Sequence, residues 1–458
     1  MKQAAAIVLA AGEGTRMRSA LPKVAHEILG VPLVRYVVDA ARTAGVGRVV
    51  TVVGHGADAV RTLVADTEIA VQDRRLGTGH AVRSAEKVLD GFDGPVIVLA
   101  GDAPLLRAET LVHLVERFRE TAAACVVLTA HFADPTGYGR IVRDENDGIK
   151  AIVEQRDLSP EQLVTDECNT GVYCFDSHAL FAALARVTAH NAQGEYYLTD
   201  VVALLRAEGL VVQALTLDDT DESHGINTRV QLAYASRVMQ RRINEAHMFA
   251  GVTMTDPTLV WIGPKVTLGR DVIIEPMTEL AGATSVADDV RLGPNTRVLD
   301  SVIEAGATVE QSVVRGARIG PGACVGPNSF VSTGTVLGPN TKVGSFVEVK
   351  NSTIGEGSKV PHLSYVGDAV LGSGVNIGAG SITCNFDGRD KHATVIGDGA
   401  FIGSDTMLVA PVEIGANATT AAGSAIAKNV PAGALGIERT EQRTIDGWAA
   451  RRKTGNDE

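Results

Sequence analysis

Two groups of residues in this sequence have the types and spacing to do chemistry. The first lies near the amino end, where Gly12-Glu13-Gly14-Thr15-Arg16-Met17 follows an apolar run over residues 4–11 and Lys23 comes behind Pro22. Successive backbone N–H groups in such a loop can form an anion nest, and Arg16 and Lys23 add charge suited to a triphosphate. The loop is not Gly-x-Gly-x-x-Gly, because position 17 is Met, and it lacks the Gly-Lys-Ser/Thr of a P-loop. A lone Gly-x-Gly after a strand also reads as a plain turn, so the cationic company carries the argument. Asp102 closes another apolar run. It reads either as a cap on a helix beginning near Ala103-Pro104 or as a magnesium ligand, since a hard cation wants carboxylate and amide oxygens. Asn227 offers such an amide oxygen just before a helical pattern.

The second group centres on His362, with Tyr365, Asn376 and Lys391 behind it and Lys350 ahead. An isolated histidine is ordinarily a surface or packing residue. An amine attacking a thioester must lose a proton, however, and imidazole is matched to that task near neutral pH.

The elements that must position these groups have different periods. Over residues 262–430 an aliphatic returns every sixth position, as in Ile262, Leu268, Ile274, Leu280, Val286, Leu292 and Val298, and again in Ile319, Val325, Val331, Leu337, Val343 and Val349. A period of six fits neither a helix nor an ordinary half-buried strand. It fits short strands joined by corners, each sending one aliphatic inward: a hexapeptide parallel β-helix. Three hexads close one coil, residues eighteen apart stack roughly 4.8 Å apart, and about ten coils fit the segment. The beat pauses over residues 378–395, which predicts an outward loop. It stops after Val430, leaving a tail that carries Arg439, with residues 453–458 expected to be disordered.

The amino-terminal part alternates strands with amphipathic segments. Strands are predicted at residues 4–11, 49–53 and 96–100, a helix from the Lys23 region through Ala44, and another over residues 108–119. That alternation predicts a mostly parallel sheet covered on both faces, with ligands outside the carboxyl ends of its strands. Residues 228–249 read as a helical connector. The implied domains are 1–228, a linker at 229–249, and 250–458.

Length alone suggests about three domains. The 54 acidic residues exceed the 42 Lys and Arg for a net charge of −12, which argues against nucleic-acid or anionic-membrane partners. Five cysteines without a CxxC pair predict buried thiols in a reducing cytosol. No apolar run approaches membrane-spanning length, and the apolar start reads as a strand feeding the glycine loop rather than a signal peptide.

The segment LAAGEGTRMRSALPK, followed by LGTGHA (residues 76–81), GDAPL, TGYGRI (136–141), NTGVY (169–173), NAQGEYYLTD (191–200) and the hexapeptide region, carries a resemblance over nearly the whole chain. The sequence resembles the family of bacterial bifunctional N-acetylglucosamine-1-phosphate uridylyltransferase/glucosamine-1-phosphate acetyltransferases. The resemblance implies an α/β fold: a Rossmann-like nucleotidyltransferase domain followed by a left-handed parallel β-helix. It implies that Leu9, Ala10, Ala11, Gly12, Gln72, Gly77 and Thr78 hold the uridine end of UTP, and that Gly139, Glu154 and Asn169 hold N-acetylglucosamine. Asp102 and Asn227 would coordinate Mg²⁺, with Lys23 and Arg16 stabilising phosphate charge. His362 would be the acetyl-transfer base, and Lys350, Tyr365, Asn376 and Lys391 would surround glucosamine 1-phosphate. Ala379, Asn385, Phe386, Ser404, Ala422 and Arg439 would bind acetyl-CoA. A cytoplasmic homotrimer with acetyl-transfer sites completed by neighbouring subunits is also implied.

Two positions depart from the family. Ser332 stands where an arginine contacts the sugar phosphate, one coil before Lys350, and Phe386 replaces a tyrosine. Losing one charge-assisted contact costs about 1.5–3 kcal/mol, so weaker sugar-phosphate binding is expected. Two other readings follow. One is a monofunctional nucleotidyltransferase whose β-helix only oligomerises, which Ser332 favours. The other is a regulatory scaffold of the kind found in some translation exchange-factor subunits, against which Lys23 and Asp102 count.

Overall fold

The computed structural model describes residue 1, residues 3–54 and residues 56–453. The chain divides into two compact units after Gln240, not the three that length suggests.

In the first unit the apolar run near the amino end forms the strand Ala5–Ala10, buried at every position except the half-buried Leu9. A strand apolar on both faces belongs inside a parallel sheet. It pairs in parallel with Arg48–Val53 on one side and Pro95–Ala100 on the other. Glu68–Val71 extends the sheet beyond Arg48–Val53. On the other side Glu167–Asp176 enters antiparallel between Pro95–Ala100 and Cys125–His131, and the hairpin of Arg140–Arg143 and Ile149–Val153 branches from it. Separate apolar clusters cover the two faces. Val34, Val37, Val38 and Ala41 of the helix Leu33–Thr43 lie in one, and Val201, Val202 and Leu205 of Asp200–Ala207 in the other.

The predicted helix from Lys23 through Ala44 is corrected. Lys23–Ala25 is a single 3₁₀ turn, and a short antiparallel pair, Glu27–Ile28 with Val31–Pro32, intervenes before the helix starts at Leu33. Pro32, in extended conformation at the helix's N-cap, sets that boundary. The next predicted helix runs Ala108–Thr121, and its N-cap is Arg107. Asp102 therefore does not cap it.

The helix Arg229–Phe249 is continuous through the division between the units. Ala235 and Val238 bury with Ile28, Leu33 and Leu105 in the first unit. Ile243 and Met248 pack on the core of the second.

The second unit is the parallel β-helix. Its strands form three sheets of 11, 10 and 9 members, each strand pairing with the one a full coil later. The six-residue aliphatics point inward: Ile262, Val298, Ile319, Val331, Val343, Val349 and Ile402 are all fully buried. The step of eighteen holds for pairs such as Val331–Val349. It shortens to sixteen in Val302–Arg318 and to seventeen in Thr353–Val370, where corners lose two residues and one without disturbing the inward position.

The predicted outward loop is smaller than residues 378–395. Ile382–Cys384 still belongs to the coil, pairing with Tyr365 before and Met407–Val409 after. The aliphatic beat pauses because Thr383 takes the inward place. Its buried Oγ1 accepts from Gly367 N at 2.8 Å and donates to Gly367 O at 3.0 Å. Thr420 likewise fills an inward position. Only residues 385–393 leave the prism, held by an antiparallel bridge between Phe386 and Lys391. The winding also outlasts Val430, since Leu435–Gly436 pairs with Thr419 and Thr420. A final helix covers Trp448–Lys453, so Lys453 is helical; the disorder expected for residues 454–458 lies outside the described residues. Cys125, Cys168 and Cys174 are buried free thiols, but Cys324 is exposed and Cys384 half-buried, since both lie on outward faces of the prism.

Candidate active sites

The glycine loop leaves the carboxyl end of Ala5–Ala10 and turns through Gly14, whose φ is 66°. A Cβ there would lie 2.4 Å from Lys23 Cβ, so glycine allows Lys23 to pack against the loop. Gly101 N donates to Leu9 O at 2.9 Å, which brings Asp102 beside the same strand end. The Lys23 ammonium pairs with Asp102 Oδ2 and donates to Asn227 Oδ1 at 3.0 Å. Arg16 donates to the same Asn227 oxygen at 2.9 Å. Asn227 is held in turn by its own backbone N–H, which donates to Gln231 Oε1 at 2.8 Å. Arg16, Lys23, Asp102 and Asn227 therefore form one cluster, two cations around a carboxylate and an amide.

Among the described residues no three His, Cys, Asp or Glu side chains converge to hold a metal alone. Asp102 and Asn227 nevertheless fit a hard divalent cation. Both present oxygen to one point, where the Lys23 ammonium already stands as a cation, and two protein ligands leave further positions to water and phosphate oxygens, the arrangement Mg²⁺ prefers.

A second loop closes on the first. Arg75 is ion-paired with Glu13, and Gln72 Nε2 donates to Gly77 O at 3.1 Å. Gly77, at φ 106°, begins the short helix Thr78–Arg83. A Cβ on it would stand 2.6 Å from Tyr196 O, so the glycine lets the NAQGEYYLTD segment lie directly on this loop. Thr78 Oγ1 accepts from Leu198 N at 3.1 Å. Gly139, Glu154 and Asn169 also meet. Asn169 N donates to Gly139 O at 2.9 Å, and a Cβ on Gly139 would be 3.6 Å from Glu154 Oε2. Asn169 Nδ2 donates to Tyr173 OH at 2.7 Å. Burial raises the Glu154 carboxyl above its ordinary value, opposed by a hydrogen bond from Thr199. Leu9, Ala10 and Ala11 contribute backbone at the strand end beside Gly12.

In the β-helix the residues fall into two sets. One is a column at a corner. Lys359 pairs with Asn376 and Tyr365 with Ile382, so the intervening His362 stands one coil before Ala379. Ala379 O accepts from Asp405 N at 2.7 Å, and Ser404 O accepts from Gly423 N at 2.8 Å. His362, Ala379, Ser404 and Ala422 thus follow one another down a single edge, about 4.8 Å per step. At its foot Arg439 folds back to donate to Ala422 O at 2.9 Å. His362 is exposed.

The other set lies on the next face. Lys350 ends the strand Glu348–Lys350, in register with Gly367. Tyr365 OH accepts from Asn385 Nδ2 at 3.4 Å. At the centre is Asp368, which sequence reasoning missed. Its two oxygens accept from Asn351 Nδ2 at 2.6 Å and Asn385 Nδ2 at 2.5 Å. Burial pushes its carboxyl up, but these amides and the charges of Lys391 and Lys350 outweigh that and hold it below the usual range. Asp368 and Asn351 both sit at positive φ, where Asp and Asn are ordinary corner residues, so their types gave no chemical signal. Asn385 sides with this set rather than with the corner column. Asn376 joins neither cluster, because it projects from the face that also carries Lys359 and Phe401. Phe386 is exposed on the loop.

Comparison with known proteins follows the same division. Residues 6–200 match the MobA-like NTP transferase domain, residues 313–409 the GMPPB C-terminal domain, and residues 393–428 the bacterial transferase hexapeptide (six repeats). A protein of Heliobacterium modesticaldum is 50% identical over 457 residues, covering 100% of both chains. One of Streptomyces coelicolor is 49% identical, covering 100% of this chain and 96% of its own. One of Exiguobacterium sibiricum is 49% identical, covering 96% and 98%. All three carry the name Bifunctional protein GlmU.

Proposed function

The chain belongs to the bifunctional GlmU family, and from that premise we propose that it makes UDP-N-acetylglucosamine in two steps. Acetyl-CoA first acetylates glucosamine 1-phosphate. UTP then uridylylates the product and pyrophosphate leaves. The observation that carries this reading is similarity running end to end through both units at about half identity.

In the uridylyl step a sugar-phosphate oxygen attacks the α-phosphorus of UTP, and the protein's part is positioning and charge neutralisation. Leu9, Ala10, Ala11, Gly12, Gln72, Gly77 and Thr78 seat the nucleotide, and Gly139, Glu154 and Asn169 seat the sugar. Lys23 and Arg16 meet the phosphates. Mg²⁺ held by Asp102 and Asn227 would supply further positive charge at the phosphate oxygens.

In the acetyl step the sugar amine attacks the thioester carbonyl, forming the C–N bond, and the C–S bond breaks to release coenzyme A. His362 takes the amine proton. The corner column supports this role, because Ala379, Ser404, Ala422 and Arg439 offer acetyl-CoA a straight track ending at His362. Lys350, Tyr365 and Lys391 receive the sugar phosphate, and Asn376 joins them from a neighbouring subunit of a homotrimer. The position of Asn376 on another face of its own chain supports that assembly. The enzyme works in the cytoplasm; no helix among the described residues is long and apolar enough to cross a membrane.

The test supplies glucosamine 1-phosphate, acetyl-CoA, UTP and Mg²⁺ and follows free thiol and pyrophosphate separately. Both should appear, and His362→Ala should abolish most thiol release while leaving uridylylation of pre-acetylated sugar unchanged. Pyrophosphate without thiol, and only from pre-acetylated sugar, would reduce the protein to a nucleotidyltransferase.

A further inference from the structure

Among the arginines of the early coils, Arg291, Arg297 and Arg318 each pair with a glutamate of their own surface: Glu275, Glu279 and Glu304. Arg315 does not. It ends the strand Val313–Arg315, exposed, and its guanidinium makes no ion pair or hydrogen bond among the described residues. Its place in the register is informative. Val314 pairs with Val331, and Val331 with Val349. The three residues that follow these inward valines, Arg315, Ser332 and Lys350, therefore stack on one face in successive coils, all pointing outward. Ser332 is the small member between two cations.

An arginine side chain is longer than one inter-strand step of roughly 4.8 Å. With only a serine below it, the Arg315 guanidinium has an open path over Ser332 toward Lys350. Lys350 lies in register with Gly367, next to Asp368, Lys391 stands on the loop bridged to Phe386, and the charges of both lysines lower the Asp368 carboxyl. One carboxylate balances at most one of these cations. Glu348, exposed on the same strand as Lys350, is a second carboxylate on this face, so two lysines and an unpaired arginine against two carboxylates leave one positive charge in surplus, which suits a phosphate.

We infer that Arg315 is a substrate-binding residue of the acetyl-transfer site, its guanidinium reaching across Ser332 to the phosphate of glucosamine 1-phosphate. The inference rests on the proposed acetyl transfer and adds to it a specificity residue for the phosphate. It also changes the consequence drawn from Ser332: the charge missing at position 332 is supplied from one coil earlier.

The experiment measures binding of glucosamine 1-phosphate, and of glucosamine, to the full chain by titration calorimetry in the parent, Arg315→Ala, Ser332→Arg and the double variant. Arg315→Ala should weaken glucosamine 1-phosphate by about tenfold or more and leave glucosamine unaffected. Ser332→Arg alone should change little, because the charge is already present. In the Arg315→Ala background the same change should restore binding. Acetyl-transfer KM for the sugar phosphate should follow the same order, with kcat nearly constant. Equal affinity in parent and Arg315→Ala overturns the inference and leaves the acetyl transferase reading standing. A parent that binds no glucosamine 1-phosphate overturns both.

Discussion

The Lys23 ammonium lies between Asp102 Oδ2, with which it pairs, and Asn227 Oδ1, 3.0 Å away. One carboxylate thus anchors the main cation of the glycine loop and, on the proposed reading, would also give an oxygen to Mg²⁺. Removing it takes the ion-pair partner from Lys23 and would delete one of the two proposed protein ligands together. Asp102→Ala should lower uridylyl transfer by about a hundredfold or more and leave acetyl transfer intact, as read by separate pyrophosphate and thiol assays. Equal loss of both activities would contradict two independent sites.

Glu154 gives a pH signature. Its carboxyl is held above the ordinary value by burial, with Thr199 opposing. An acid whose folded-state value exceeds its unfolded one binds its proton more tightly when folded, so ionising it destabilises the fold. That penalty is absent below the ordinary carboxylate value and grows as pH rises through the raised one. Glu154→Gln keeps an acceptor for Thr199 and removes the charge. It should melt above the parent at about pH 8, with the margin closing toward about pH 4. A margin independent of pH would show that the charge is not the cause.

Thr383 is the polar residue that keeps a coil wound. Its hydroxyl serves both the N–H and the carbonyl of Gly367 inside the prism. Thr383→Val matches its shape but leaves both buried groups without this partner, costing about 1–3 kcal/mol. The urea midpoint should fall accordingly. No change would mean that the backbone groups find other partners.

The inward aliphatics made the prism legible in sequence because hexapeptide winding leaves one buried position per strand, and a buried position advertises itself as Ile, Leu or Val. The same rule hid Thr383: a hydroxyl that satisfies backbone from inside looks, in sequence, like a residue outside. Hence the sequence pattern predicts a loop over residues 378–395, whereas only residues 385–393 leave the coil. In the first unit the cluster of Arg16, Lys23, Asp102 and Asn227 was legible as residue types at strand ends. The helix begins only at Leu33, and the sequence does not show that start because the two-residue strands on either side of Gly30 are too short to show a period. Asp368 was not legible at all. It occupies a corner where Asp is ordinary, and only folding shows that Asn351 and Asn385 donate to it and that the charges of Lys350 and Lys391 act on it.

Asp368 is therefore best tested as a positioning residue. Its side chain holds Asn385, where the loop leaves the prism, and its carbonyl accepts from Thr394 N at 3.2 Å, where the chain returns. Both ends of residues 385–393 are tied to one residue, and Lys391 lies between them. Asp368→Ala takes from Asn385 its shorter side-chain partner, leaving Tyr365 OH, and removes a negative charge that acts on Lys350 and Lys391. Acetyl transfer should fall by about tenfold or more, chiefly through KM for the sugar phosphate, while uridylyl transfer is unchanged. Trypsin should cut faster after Arg389 and Lys391, because a loop released from its tether opens more often. Asp368→Asn, which keeps one oxygen acceptor, should lie between parent and alanine in both assays. Lost acetyl transfer with the loop still as protease-resistant as in the parent would place Asp368 in direct contact with substrate instead of in support of the loop.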